Sequence, residues 1–377
     1  MTERSDQPLV DIVIPVHSTT RPLGRAVASA LRASTGAAPG QCRVTVVAHH
    51  LTAAQVAGML SETQRALVNI LECEDKGVTA AVPRNEALRG TSARYVSFLD
   101  SDDTLDPGAV TRWLGIAERR GSDLVMPFQH HENPRVDITP IVRPLRRSDL
   151  DPVKDRLGYR STAFGLVRVD AARQMGARFD ESVRTGEDQS FVMALYAGSR
   201  RIDSAPGTPG YLVHADADAR VSRQSLPIRD EVAAALDLIR EPWFAGAPDE
   251  LKRSYILKYI RVNFFPALEH AVRSGTWDAN YARSANAVFE ELTQYAPHVT
   301  DQLSRADLRV ARLLSPGAGE RELLAALAER RRYTTPGALR TERWTRVLGR
   351  QAPLRVVAAS AVQMLRYRWA LAAGSRN

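Results

Sequence analysis

Leu9-Val-Asp-Ile-Val-Ile-Pro-Val16 is the stretch of sequence that decides the fold. It is rich in β-branched side chains and almost uncharged, which is typical of a strand buried on both faces of a parallel sheet. Further strand-length runs alternate with segments of helical periodicity. The later predicted strands are residues 43–48, 68–73 and 94–99, and the predicted helices are residues 21–33, 53–67 and 78–88. This alternation predicts a mostly parallel, doubly wound α/β sheet.

Three carboxylates follow the last of these strands, in Asp100-Ser-Asp102-Asp103. Ligands of doubly wound sheets bind beyond the carboxyl ends of the strands, where these side chains are expected. Repulsion disfavours the common ionisation of three neighbouring carboxylates, and a divalent cation removes that cost. Because Mg²⁺ is usually shared between carboxylates and substrate phosphates, the run predicts a metal site for a diphosphate substrate. For Asp106-Pro107, a helix cap is the simpler interpretation.

A second acidic stretch, Gly186-Glu187-Asp188, opens a predicted helix that ends near Gly198. Acidic residues in a first turn are favoured by the helix dipole, which offers one explanation. Together with the first acidic stretch, these residues favour a second explanation, a catalytic one. One acidic site can hold the cation and the leaving group while the second deprotonates a hydroxyl nucleophile.

Strand patterns end near residue 225, and amphipathic helices follow, so we predict a catalytic domain over residues 1–225 and a helical region over residues 226–377. The tail from residue 330 to 377 contains eleven Arg and one acidic residue, while the whole chain has a net charge of +8. The rest of the chain is therefore nearly neutral, which disfavours a nucleic-acid partner. A predicted helix over residues 353–373 is amphipathic, and it either lies on an anionic membrane surface through residues 340–377 or packs on its neighbours.

The sequence lacks several segments and motifs, and their absence limits the expected compartment and reaction class. It has no apolar run of the roughly 20 residues that a membrane span requires, and no apolar signal core near its start. The presence of only Cys42 and Cys73 fits a reducing compartment. We therefore expect a cytoplasmic protein, with a peripheral location at the inner face of the cell membrane as the extension of that expectation. Walker-type, GxGxxG and GxSxG motifs are absent, which excludes the kinase, dehydrogenase and acyl-transfer classes that depend on them.

The acidic stretches belong to an ordered series of motifs that resembles family 2 glycosyltransferases of the GT-A fold over residues 8–225. The matching stretches are Ile12-Val-Ile-Pro-Val-His17, Lys76-Gly-Val-Thr-Ala-Ala-Val-Pro-Arg-Asn85, Phe98-Leu-Asp-Ser-Asp-Asp103, Phe179-Asp-Glu with Gly186-Glu-Asp188, and Tyr211-Leu-Val-His214. The resemblance implies that Asp100 and Asp102 are the DxD pair. Asp100 would then face the ribose or sugar of the donor, and Asp102 would bind Mn²⁺ or Mg²⁺ on its diphosphate.

The same resemblance implies roles for the remaining motif residues. Asp188 would be the general base for inverting attack by an acceptor hydroxyl. Apart from the resemblance, the position of His214 after a short strand makes it a candidate metal or phosphate ligand, with a structural or exposed histidine as the alternative. The donor pocket would be completed by Pro15, His17, Lys76, Arg84 and Ser101.

The sequence thus predicts a metal-dependent inverting hexosyl- or N-acetylhexosaminyltransferase that uses a nucleotide diphosphate sugar, a UDP-sugar by preference. The expected acceptor is a hydroxyl of a cell-surface glycan or of a polyol-phosphate polymer. One alternative is a non-catalytic scaffold that senses nucleotide sugars at the membrane, and another is a glycosyltransferase that acts on a peptide or small natural product. The helical region is expected to bind acceptor or partner, or to form a homo-oligomer.

Overall fold

The fold is built on a mostly parallel sheet. The structure is a computed structural model that describes residues 7–74, 79–132, 138–144, 146–215, 226–315 and 319–374, with only the backbone at 370–374. Across the larger sheet the strands lie in the order β3 (Val68–Cys73), β2 (Cys42–His49), β1 (Val10–Val16), β4 (Tyr95–Phe98), β8 (Leu166–Arg168), β6 (Leu124–Pro127) and β9 (Ile202–Ala205). Of these, β8 runs antiparallel to both neighbours and the others pair in parallel, which confirms the predicted fold class.

A second, smaller sheet lies beside the first. Its strands are β5 (Thr104–Leu105), β10 (Tyr211–Val213) and β7 (Gln129–His131), in that order. In β10, Tyr211 pairs with Leu105 on one side and with Gln129 on the other. This small sheet therefore holds the segment after Asp103 against the end of the predicted catalytic domain.

Helices accompany the sheet along the chain. They are α1 (Leu23–Ala33), α2 (Ala53–Gly58), α3 (Glu62–Arg65), α4 (Ala81–Gly90), α5 (Ala109–Arg120), α6 (Val169–Gln174) and α7 (Asp188–Gly198), with a 3-10 turn at Leu157–Tyr159. The single helix predicted over residues 53–67 is wrong, because Ser61 begins a new helix there. Its hydroxyl accepts a hydrogen bond from the backbone N–H of Gln64, and the side-chain oxygen of Gln64 accepts one from the backbone N–H of Ser61.

The helical region after the sheet has strands in none of its described residues. Its helices are α8 (Ile228–Glu231), α9 (Ala233–Arg240), α10 (Pro242–Ala245), α11 (Asp249–Tyr259), α12 (Phe265–Arg273), α13 (Ala279–Gln294), α14 (Arg305–Arg312), α15 (Glu320–Arg330), α16 (Pro336–Leu339) and α17 (Pro353–Gly374), with a π turn at Ile260–Phe264 and 3-10 turns at Thr300–Gln302 and Trp344–Arg346. The predicted boundary near residue 225 falls in 216–225, outside the described residues, so the division into two domains stays a prediction.

The two faces of the larger sheet carry different hydrophobic clusters, because successive side chains of a strand point to opposite faces. Ile12 and Ile14 pack in one cluster with Val27 of α1 and Trp113 of α5. Val13, which lies between them, belongs to a second cluster that includes α7 and most of the C-terminal helices. The helical region is therefore packed on one face of the sheet.

The last helix, α17, has the bounds predicted for it within one residue. Its Tyr367 is buried and lies 4.8 Å from the ring of Phe128, measured between ring centroids, which fastens the helix to the loop after β6. Among the described residues, no helix combines the length and apolar character needed to cross a bilayer.

Candidate active site

The carboxyl ends of β1, β2 and β4 meet at one edge of the sheet, since these strands run in parallel and in register. His17, which follows β1, shows that side chains converge there. Partial burial lowers the pKa of His17, although the residue keeps an exposed surface, and the neighbouring charges of Arg21 and His49 lower it further, whereas Asp102 acts in the opposite direction. The edge therefore gathers residues from three separate strand ends.

Arg84 joins the two acidic stretches. Its Nη2 donates to Oδ1 of Asp100 over 2.5 Å, and its Nη1 donates to Oδ1 of Asp188 over 2.6 Å and to Oε1 of Glu187 over 3.4 Å. Although burial disfavours the charged guanidinium, the three carboxylates raise its pKa above the ordinary arginine value. Its face also lies over the ring of Phe179, 5.3 Å from the centroid. Arg84 is thus a permanent positive charge between the two stretches.

Helix α4 can present Arg84 in this way because it begins at Ala81, three residues after the predicted start at residue 78. Pro83, which would kink a helix interior, lies in the first turn of α4, where a backbone N–H has no partner within the helix. The next residue, Asn85, donates to the carbonyl of Phe179 over 3.0 Å and accepts from its N–H over 2.9 Å. These paired hydrogen bonds hold the segment that leads into α7 against α4.

Asp188 begins α7 and is mostly buried. Its Oδ2 accepts from the backbone N–H of Ala163 over 3.1 Å, while its Oδ1 faces Arg84. Burial raises the pKa of Asp188 to about 7, against the lowering effect of Arg84 and with a further raising effect of Glu187. A carboxyl group with this pKa is able to take up a proton near neutral pH.

Asp102 lies next to a different cation. Its Oδ2 is 2.6 Å from Nη1 of Arg21, which precedes α1, and its backbone carbonyl accepts from Arg25 one turn further on. Neither arginine belongs to a predicted site motif, because the first matching stretch ends at His17.

Asp103 is the most enclosed carboxylate of the first stretch. Its Oδ1 accepts from the backbone N–H of His214 over 2.9 Å, and its Oδ2 accepts from the hydroxyl of Tyr211 over 2.9 Å. The same hydroxyl accepts from the N–H of Asp100 over 3.2 Å. Burial raises the pKa of Asp103 to about 7, and the charge of Asp100 adds to the rise. Tyr211 thus links β10 to both ends of the acidic stretch, Asp100 and Asp103.

His214 is buried beside Asp103 and Thr104, and its ring makes two polar contacts. Its Nε2 lies 2.8 Å from Oγ1 of Thr104, and its Nδ1 lies 2.6 Å from Oε1 of Glu132. Both ring nitrogens are therefore engaged here, and binding of a metal ion by His214 would require one of these contacts to open. Its role as a ligand stays a prediction.

The carboxylates fit a divalent cation in part. Among the described residues no cluster of three or more His, Cys, Asp or Glu side chains could by itself hold a metal ion. Burial is the main cause of the raised pKa of Asp103, and the charges of Asp100 and Asp102 add to it, a repulsion that a cation would lower. Such a donor set suits Mg²⁺ or Mn²⁺ only if a substrate diphosphate supplies further oxygens, and Asp102 would exchange Arg21 for the ion.

The remaining predicted site residues are placed as follows. Pro15 lies within β1 opposite Val47, and Ser101 is buried between the two DxD carboxylates of the predicted motif. Lys76 falls outside the described residues. The His130-His131 pair, which has no predicted role, forms part of β7, and Nε2 of His130 lies 3.0 Å from Oδ2 of Asp106.

A comparison with known proteins identifies a family for part of the chain. The family model described as "Glycosyl transferase family 2" matches residues 11–176, a span that includes β1, Arg84 and the DxD carboxylates. Residues 11–176 are a family 2 glycosyltransferase domain. The chain extends beyond that span, which includes neither the base candidate Asp188 nor the helical region.

Two curated relatives resemble part of the chain. A poly(ribitol-phosphate) beta-glucosyltransferase of Bacillus spizizenii is 25% identical over 158 residues, which cover 42% of this chain and 25% of the relative. The poly(ribitol-phosphate) beta-N-acetylglucosaminyltransferase TarP of Staphylococcus aureus is 23% identical over 150 residues, 40% of this chain and 46% of TarP. The chain thus spans less than half the length of these relatives.

A solved structure resembles more of the chain. The crystal structure of S. aureus TarS residues 1–349 in complex with UDP-GlcNAc superposes with a TM-score of 0.67 at 14% identity, covering 85% of this chain and 91% of that one. At this identity the match shows a shared fold, which includes helices beyond the sheet.

Proposed function

We propose that this glycosyltransferase transfers a sugar from a UDP-sugar to a hydroxyl of a polyol-phosphate polymer, with inversion at the anomeric carbon. The observation that carries the proposal is the bridge made by Arg84 between Asp100 and Asp188. It places a carboxyl group with a pKa of about 7 next to the acidic stretch expected to hold the donor. A base of that pKa beside a donor site is what activation of a hydroxyl requires.

In this proposal each side chain has a separate task. Asp188 takes the proton of the acceptor hydroxyl, whose oxygen attacks the anomeric carbon as the bond to the nucleoside diphosphate breaks. Arg84 keeps Asp188 oriented and partly ionised, and Asp100 contacts the ribose or sugar of the donor. A divalent cation bound by Asp102 would offset the charge that develops on the departing diphosphate. His17, Ser101 and Pro15 line the nucleotide side of the site.

The donor and acceptor classes are supported by the relatives. TarS was crystallised with UDP-GlcNAc, and both curated relatives are named as poly(ribitol-phosphate) glycosyltransferases, one for glucose and one for N-acetylglucosamine. The transferred group is therefore proposed to be a hexosyl or N-acetylhexosaminyl residue. The tail from residue 340 is proposed to contact the membrane from the cytoplasmic side, and self-association through the helical region stays a prediction.

The proposal is tested by release of UDP from UDP-glucose and UDP-GlcNAc with poly(ribitol phosphate) as acceptor and Mn²⁺ or Mg²⁺ present. We expect polymer-dependent release that Asp188→Asn abolishes, while binding of UDP measured by calorimetry persists. Glu187→Gln, which changes the adjacent carboxylate, is the matched control and should retain transfer. Donor binding without release across polymer, peptide and small-molecule acceptors would favour the nucleotide-sugar sensor instead.

A further inference from the structure

A cavity of about 400 Å³ lies between the segment around residues 143–156 and the first turns of α17, away from the carboxylates of the active site. Five basic side chains line it, and no carboxylate does so among the described residues. The basic residues are Arg143, Lys154, Arg156, Arg350 and Arg355. A concave surface of this charge favours an anionic ligand.

Three of these cations already have an acidic partner outside the cavity lining. Arg143 binds Asp155 through Nε and Nη2, each over 2.7 Å. Nζ of Lys154 lies 3.1 Å from Asp151, and Arg350 lies 3.8 Å from Glu250. The positive charge that is left over in the cavity therefore belongs to Arg156 and Arg355.

Arg156 is only 4% exposed, and its partners are backbone carbonyls. Nη2 donates to the carbonyl of Arg350 over 2.7 Å and Nη1 to that of Ile141 over 3.3 Å. Within the described part of the chain its Nε has no hydrogen-bond partner. A buried guanidinium that no carboxylate contacts directly is unfavourable, and an anion in the cavity would supply both an acceptor for Nε and a contacting negative charge.

Arg355 faces the same cavity from α17, and an exposed apolar stripe continues from it along the helix. Positions 355, 358, 362, 365 and 369 recur at the three- and four-residue spacing of one helix face. Leu365 is 69% exposed and Trp369 is 77% exposed, although both side chains are large and apolar. The opposite side of α17 is the one held to the body of the protein, through Tyr367.

We propose that this cavity binds the phosphate of an anionic membrane lipid, with the apolar stripe of α17 lying in the interface of the bilayer. A cationic pocket at one end of an exposed apolar stripe matches a lipid, which joins a charged headgroup to acyl chains. A soluble phosphate would leave Leu365 and Trp369 in water. The inference rests on the membrane contact proposed above for the tail, and it is independent of sugar transfer.

The test is flotation of the full-length chain with phosphatidylcholine vesicles that contain about 30% phosphatidylglycerol, against pure phosphatidylcholine, at about 0.1 M salt. We expect flotation only with the anionic vesicles. Arg355→Glu should weaken the partition coefficient at least about tenfold, because it reverses a charge at the proposed headgroup site.

Arg368→Glu provides the matched control, since Arg368 is also exposed on α17 but lies about 140° around the helix axis from Arg355. It makes the same change of net charge, so a site predicts a loss below about threefold for this variant. Equal losses for the two variants would mean diffuse attraction without a site and would overturn the proposal. Leu365→Ser should likewise weaken flotation more than Met364→Ser, and the reverse order would contradict the role of the stripe.

Two further arms identify other sources of phosphate. Soluble poly(ribitol phosphate), or inorganic phosphate measured by thermal shift, could bind in a manner that Arg355→Glu removes, with no flotation of the wild type. Either result would assign the cavity to that ligand and overturn the lipid proposal. Arg355→Glu should keep its rate of transfer to soluble acceptor, so a failure of the proposed sugar transfer leaves the flotation result interpretable.

Discussion

Nη1 of Arg84 lies 2.6 Å from Oδ1 of Asp188, and the two side chains come from helices more than a hundred residues apart in the chain. The same guanidinium contacts Asp100. A single buried cation thus couples the carboxyl group proposed to activate the acceptor to the one proposed to contact the donor. The ionisation of Asp188 therefore depends on Asp100, which shares the same guanidinium, as well as on its own surroundings.

The first prediction concerns the pH dependence of transfer. Because burial raises the pKa of Asp188 to about 7, the base is protonated and inactive below that pH. We expect kcat/KM to fall about tenfold for each pH unit below about 7. Glu187→Gln removes a charge that raises this pKa, so its profile should shift to lower pH. A profile that is flat between about pH 5 and 8 would contradict the assignment of Asp188 as the base.

The second prediction concerns stability at the bridge. Arg84→Gln leaves Asp100 and Asp188 without their buried counter-charge, and we expect a loss of about 3–5 kcal/mol in the free energy of unfolding at pH 8. The loss should be smaller at pH 5, where Asp188 is protonated and needs no partner. Urea unfolding at the two pH values measures this difference. Arg89→Gln is the control on the same helix, since Arg89 is 63% exposed and should change stability by less than about 1 kcal/mol.

The third prediction concerns the metal ion. Arg21 occupies Oδ2 of Asp102, so it competes with a cation for that carboxylate. Arg21→Gln should tighten binding of Mn²⁺ in the absence of nucleotide several-fold, as measured by electron paramagnetic resonance of free Mn²⁺. Asp102→Asn should weaken Mn²⁺ binding in the presence of UDP at least about tenfold. Unchanged Mn²⁺ affinity in both variants would place the ion elsewhere.

The fourth prediction concerns Lys258, a buried residue of α11. Burial lowers the pKa of its ammonium group from 10.5 to about 8, so the charged form destabilises the fold below pH 8. Lys258→Met should therefore raise the free energy of unfolding at pH 7 by up to about 3 kcal/mol. The gain should shrink as the pH rises from about 8 toward 10.5, because the unfolded chain then also loses its proton. Guanidinium unfolding over this range measures it.

Lys252→Met is the control for that series, since Lys252 lies on the same helix and pairs with Asp249 over 3.0 Å. Asp249 is largely exposed, so the pair should contribute little to stability. A stability gain for Lys258→Met that persists unchanged at high pH would show that added apolar surface, and not the lost charge, is its cause.

The parallel sheet was predictable because buried strands leave a strong local pattern. The run from Leu9 to Val16 and the predicted strand 43–48 match β1 and β2 to within about a residue. The break between α2 and α3 was recoverable in principle from Thr52-x-x-Gln55 and Ser61-x-x-Gln64, both of which form capping boxes. The hydrophobic periodicity continues across the break, so the sequence pattern of the two helices resembles that of a single helix.

The partners of the acidic residues were harder to predict, because they are set by the tertiary fold. Asp102 and Arg21 are 81 positions apart, and no local pattern pairs them. The contact between Tyr211 and Asp103 depends on the pairing of β10 with β5, two strands so short that they leave little periodicity. The sequence therefore indicated which side chains carry the chemistry, while the counter-charges that tune them required the structure.

The hydrophobic cluster on one face of the sheet extends from Val13 in β1 through Phe191 in α7 to Leu327 in α15. Helix α7 and the C-terminal helices consequently share one hydrophobic interior. A graft that replaced the chain after Pro227 by the corresponding piece of a relative would have to rebuild the surface beneath α7, and with it the position of Asp188. The helical region therefore cannot be exchanged as a unit. An attempt to change the proposed acceptor choice should use single substitutions of exposed side chains.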